Sequence, residues 1–211
     1  MPDNNFGLPQ RGKTYLTGPQ RTADTTATVS KAIEGAIKTF KDIDYSTNPT
    51  THRSDGEVTA ILVRNASGVA LLPKMAVTWK AANRGKQVDG YADFSPDRAI
   101  AGIVDEWLPA AGCPANDYFW LVVKGPTLAL TAKEADGTNV IEVDDWLVNV
   151  TAAASTHSTT SGRVIPAIAV AGVTTNITFA QSSNLYKFAR AMSAKTTANT
   201  NADVLVYVDL F

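Results

Sequence analysis

After Glu57 no apolar run outlasts a single strand. The segments "EVTAILVRN", "LPKMAVTWK", "RAIAGIVDEW", "YFWLVVKGP", "TLALTA", "NVIEVDDWLVNV", "RVIPAIAVAG", "TNITFA", "KFARAMSA" and "ADVLVYVDLF" follow one another, parted by turn formers such as "NASG" and "KEADGTN". Several alternate apolar with polar residues, which is the period of a pleated strand. About ten short strands at this spacing make a sandwich or a barrel, so the expected class is mainly β with a small barrel body. Within it, "NRGKQVDGYADFSPD" reads as a long Gly-bearing loop, and Gly125-Pro126 reads as the end of the strand that starts at Tyr118.

The first 56 residues follow other rules. Residues 1–27 hold Pro2, Pro9 and Pro19 with several glycines and no apolar period, which describes an extended arm. "GLPQRGKT" at 7–14 satisfies the phosphate-loop pattern, but no strand precedes it, "YLTGPQ" breaks any following helix, and Pro9 removes a needed N–H. We therefore expect no nucleotide there. "TVSKAIEGAIKTFKDI", 28–43, spaces Val29, Ile33, Ile37 and Phe40 as one face of a short amphipathic helix, with Thr28 or Ser30 as its cap. "DYSTNPTTHRSDGE", 44–57, has the composition of a linker. The domains expected are an arm (1–27), a helix with linker (28–56) and a β-body (57–211).

Composition removes several function classes. Formal net charge is −1, which leaves no electrostatic footprint for nucleic acid or an anionic membrane. No run is long and apolar enough to span a bilayer, and "MPDNNFGLPQ" lacks a signal peptide's regions, so synthesis in a cytoplasm is expected. Cys113 stands alone, and His52 and His157 lie in polar stretches, so neither thiolate zinc nor histidine chemistry is expected. The acidic pairs Asp105-Glu106 and Asp144-Asp145 each precede a Trp; on a strand, neighbours face opposite ways, so each pair reads as a solvated strand end. No Gly-x-Ser-x-Gly elbow is present. An enzyme is not expected, and no catalytic, metal or cofactor residue is assigned. Trp79, Trp107, Trp120 and Trp146 fall near strand ends, where such rings plug barrels or anchor subunits.

Between Asp145 and Lys187 the sole formal charge is Arg163, in a Thr-, Val- and Ala-rich stretch. Uncharged strands of this kind resist edge pairing poorly, which points to an oligomer or an assembly. The order "ILVRNASGVALLPKMAVTW", "AGIVDEWLPAAGCPANDYFWLVVKGP", "DDWLV" and "RAMSAKTTANTNADVLVYVDLF" resembles the capsid decoration (cement) proteins of tailed bacteriophages over residues 57–211. The resemblance implies a β-barrel or β-tulip-like body on the exterior of the virion capsid, partnered by the major capsid protein and by its own copies as a homotrimer. It also implies an N-terminal extension reaching adjacent capsomers. Candidate capsid contacts are Phe6, Leu8, Tyr15, Leu16, Ile33, Ile37 and Phe40. Candidate subunit contacts are Trp107, Tyr118, Phe119, Trp120 and Trp146. The alternative is a carbohydrate-binding β-module of a head fibre or host-attachment protein, with the Trp residues as its platform.

Overall fold

The computed structural model describes residues 11–12, 34–91, 100–132, 140–149, 162–166, 187–196 and 202–210. Their architecture is mainly β, as expected. Ten strands form one sheet: β1 (Ile37–Asp44), β2 (Thr51–Asn65), β3 (Ala76–Trp79), β4 (Gln87–Tyr91), β5 (Ile100–Val104), β6 (Tyr118–Leu130), β7 (Trp146–Asn149), β8 (Val164–Pro166), β9 (Ala189–Ala191) and β10 (Asp203–Asp209). Among the described residues the sole helical segment is a 3-10 turn at Ala81–Asn83.

The sheet closes on itself twice, and β6 belongs to both closures. In the first, β2 meets β4, β4 meets β3, β3 meets β5, β5 meets β6, and β6 returns to β2. In the second, β6 pairs with β10, then β9, β7 and β8 follow, and Val164 of β8 bridges to Thr131 just past β6. These are two barrel-like rings side by side with one common wall.

That sharing explains the aromatic head of β6. Phe119, Leu121 and Val123 belong to the core of the first ring with Ile61, Val77 and Val104. Tyr118 and Trp120 belong to the opposite face, with Ala60 and Leu62, where Phe40 of β1 covers them. Phe40 meets Trp120 edge-on at 5.1 Å between centroids. A strand buried on both faces shows a continuous apolar run, not an alternating one. Farther along, Val122 and Ala129 join Leu147, Val164, Ala189 and Val206 in the core of the second ring.

Gly125-Pro126 does not end the strand. β6 runs on to Leu130, so "YFWLVVKGP" and "TLAL" are one strand, not two. Lys124 is the hand-over point, paired with Thr59 of β2 on one edge and Asp209 of β10 on the other. The next residue, Gly125, takes φ +98°, and a Cβ there would lie 2.2 Å from the Glu57 carbonyl oxygen. Only glycine lets β6 turn from one ring to the other while lying against β2.

Two further expectations are corrected. The segment expected to be helical over 28–43 is strand from Ile37 onward, antiparallel to β2. Its exposure alternates along 37–42, with Ile37, Thr39 and Lys41 outward. Ile37 and Phe40 keep a helical spacing, which a strand puts on opposite faces; pairing with β2 and burial of Phe40 on Trp120 decide for strand. Val29 and Ile33 lie outside the described residues. The expected linker is a turn at 45–50 followed by the first half of β2, and the expected loop at 83–97 contains β4.

Gly125→Ala forces a β-carbon onto a backbone oxygen at a positive φ, and should cost about 3 to 5 kcal/mol. Urea unfolding will show this as a lower midpoint. A midpoint within error of the parent would remove the hand-over role.

Candidate functional site: a buried charge cluster that holds the arm

Where β5 ends, the chain turns, and Asp105 and Glu106 fall in that turn and not on the strand. They are buried, 0% and 5% exposed, so the expected solvated strand end is corrected here. Off the pleat, both carboxylates can reach one cluster. The cation facing them comes from the arm: Arg11 Nε and Nη2 donate to Asp105 Oδ1 at 3.1 and 2.9 Å. Arg11 Nη2 also stands 3.5 Å from Glu106 Oε1. Gly12 N–H donates to Asp105 Oδ2 at 2.7 Å.

Arg53 of β2 completes the cluster from the other side. Its Nη1 and Nη2 donate to Glu106 Oε2 and Oε1 at 2.8 and 2.9 Å, a fork on a carboxylate. Its Nε and Nη2 also donate to Asp42 Oδ1 at 3.2 and 2.7 Å. Ser54 Oγ donates to Asp42 Oδ2 at 2.8 Å, and Thr127 Oγ1 to Glu106 Oε1 at 3.2 Å. Arm, β1–β2 hairpin, β5 turn and β6 are thus joined through two guanidiniums and three carboxylates.

Burial pushes the Asp105 carboxyl up from the usual aspartate range, against the opposing pull of Arg11 and the Gly12 N–H. Burial alone would lower Arg53, but its bonds to Glu106 and Asp42 outweigh that and hold the guanidinium above its ordinary value. Burying such a cluster is expensive in desolvation, and removing one partner leaves a charge uncompensated. Its use is positional: it fixes where the arm meets the body.

The cluster also settles what "GLPQRGKT" does at its two described residues. Gly12 has φ +80° and packs on Trp107, with its would-be Cβ 3.0 Å from the Trp107 carbonyl oxygen. Its N–H serves a carboxylate of the same chain.

The expected contact residues divide. Phe6, Leu8, Tyr15, Leu16 and Ile33 lie outside the described residues. Ile37 is 64% exposed and stands at the lip of a cleft of about 430 Å³ lined by Ile61, Trp79, Ile100 and Leu210. Phe40 is half-buried on Trp120. Phe119 and Trp120 are 0% exposed and Tyr118 is 5% exposed, with its hydroxyl donating to Glu34 Oε1 at 3.0 Å. The triplet is core of its own chain, and as a subunit contact it has almost no surface to offer. Trp107 is half-buried beside the charge cluster, edge-on to Tyr45 at 5.2 Å. Trp146 is exposed. Arg11, Arg53 and Asp42 gave no local signal in the sequence, since Arg11 and Asp105 are 94 residues apart.

Arg11→Ala should destabilise the protein by about 3 kcal/mol, and Arg11→Lys should recover only part, because an ammonium lacks the fork. Urea titrations of the two variants will test this; equal midpoints for parent and Arg11→Ala would remove the cluster's role. A second measurement follows from Asp105. The folded carboxyl keeps its proton to higher pH than the unfolded one, so its contribution to stability is largest at low pH and falls as pH rises through its raised range. Stability of the parent relative to Asp105→Asn should therefore decline as pH rises above about 4, the ordinary aspartate range. A rise over that range would reverse the assignment.

Compared with known proteins, the chain matches no family model, and no curated protein matches it.

Proposed function

We propose that this chain is a structural protein of a tailed-phage virion that binds the outer surface of the mature head, through the major capsid protein, and stabilises it. The observation that carries the reading is the arm's attachment: Arg11 and Gly12 are held on the body by buried charge. An N-terminal extension that starts from a set place on its body can reach a neighbouring surface without losing its direction. The order of sequence segments and the apolar pattern that resemble decoration proteins support the same reading, as does a body whose buried charges join its own segments.

The pin changes the reach of the arm. Twenty-seven extended residues would cover about 90 Å, whereas residues 1–10, if extended, would cover about 33 Å. In the sequence Phe6 and Leu8 precede the pin, whereas Tyr15 and Leu16 follow it and precede the body. Phe6 and Leu8 are therefore the anchors for the shell. Each buried anchor contributes about 1.5 to 3 kcal/mol, and copies acting together on one shell add avidity.

Phe6→Ala with Leu8→Ala, in the full chain, should weaken co-sedimentation with expanded empty heads at least tenfold while leaving the melting temperature unchanged. Undiminished head binding would defeat the arm's part in the reading. Binding to no head at all, with retention on a polysaccharide that is lost on Trp→Ala, would favour the carbohydrate-binding alternative.

A further inference from the structure

On the outer face of the second ring, three strands present one residue each in a line. Trp146 of β7 is the register partner of Arg190 of β9, and Arg190 is the register partner of Tyr207 of β10. Trp146 and Tyr207 are each 38% exposed, and the Arg190 side chain is 51% exposed. Their strand neighbours Leu147, Ala189, Ala191, Val206 and Val208 are buried in the ring's core. Alternation therefore turns the row outward, where a strand facing water ordinarily carries polar residues. Met192, 41% exposed, and Val143, 57% exposed, extend the apolar surface at its margin. The first ring offers a contrast, because there β1 covers the Trp120 face with Phe40.

The charges around the row narrow the occupant. Lys187 Nζ and Arg190 Cζ each lie over the Trp146 ring, 5.8 Å from its centroid. Asp144 Oδ1 is 3.3 Å from Arg190 Nε, and Glu142 is exposed in the same turn. Cations and carboxylates are interleaved, so the patch carries no excess charge to draw a strongly charged polymer. The cations also occupy the ring surface on which a sugar would stack. A face holding Trp, Tyr and Arg at its centre and both signs of charge beside them is complementary to itself: one copy's Arg190 can meet another copy's Asp144 as the aromatic centres bury each other.

We propose that the Trp146–Arg190–Tyr207 row is the face through which copies of this chain associate. The proposal names the contact surface for self-association within the function proposed above and rests on that reading. Trp146, exposed on this face, also reports on it.

The test is sedimentation velocity with light scattering on the full chain, with Trp146→Ala and Arg190→Glu beside the parent, and head co-sedimentation in parallel. The expected result is a concentration-dependent oligomer for the parent, with Trp emission shifting to the blue as it forms. Both variants should dissociate at least tenfold more readily while keeping the parent's far-ultraviolet circular dichroism. If the parent associates and both variants associate equally well, the row is not the interface, whatever the heads show. A parent that stays monomeric but decorates heads overturns this face and leaves the proposed function standing. A monomer that ignores heads and binds a neutral polysaccharide through Trp146 overturns both.

Discussion

The described residues are arranged around one strand that two rings must share. β6 can serve both because Gly125 lets its direction change where the Glu57 carbonyl leaves no room for a side chain. Before that point its partners are β2 and β5; after it, β10. Burial on both faces then follows, and with it the demand for Tyr118, Phe119 and Trp120, whose rings fill one core and back another. Each ring alone is small, so a common wall lets a modest chain hold two apolar cores.

The charge cluster sits beside that wall. Thr127, two residues past the glycine, touches Glu106, and Glu106 touches both arginines. A hydrophobic plug of similar volume could hold the same segments together with less desolvation. What ions add is geometry: a guanidinium fork accepts a carboxylate in few orientations, so the arm cannot slide along its seat. A second ionic tie, Lys74 to Asp203, links the turn before β3 in the first ring to β10 in the second. Position, more than stability, is what this polar material supplies.

The outer surfaces of the two rings are unequal. β1 shields the first ring's aromatic face, whereas the second ring leaves Trp146 and Tyr207 in view among paired charges. That asymmetry sets an exposed aromatic and charged face on the second ring apart from the first ring's β5 turn, where Arg11 and Gly12 are pinned.

The mainly-β class was readable from the chain because it depends on local properties: alternation in "DVLVYVD", turn formers between runs, and too few long helical stretches. The alternation of β10, with Val204, Val206 and Val208 inward, is as written in the residues. The β1 segment was not readable, because Ile37 and Phe40 keep a helical spacing that a strand puts on opposite faces, and only the presence of β2 and Trp120 alongside chooses the strand. Gly125-Pro126 carries the local signature of a stop, and the strand continues because β10 takes over its edge at that point. The charge cluster was hidden for the same reason in stronger form: Arg11, Asp42, Arg53, Asp105 and Glu106 are unremarkable in their own neighbourhoods, and their chemistry begins when chain closure across 94 residues removes water from between them. Composition and local pattern determined what kind of elements this chain makes; which charges meet, and which aromatics face out, was decided only by how the elements pair, since burial and ion pairing are properties of distance in space and not along the chain.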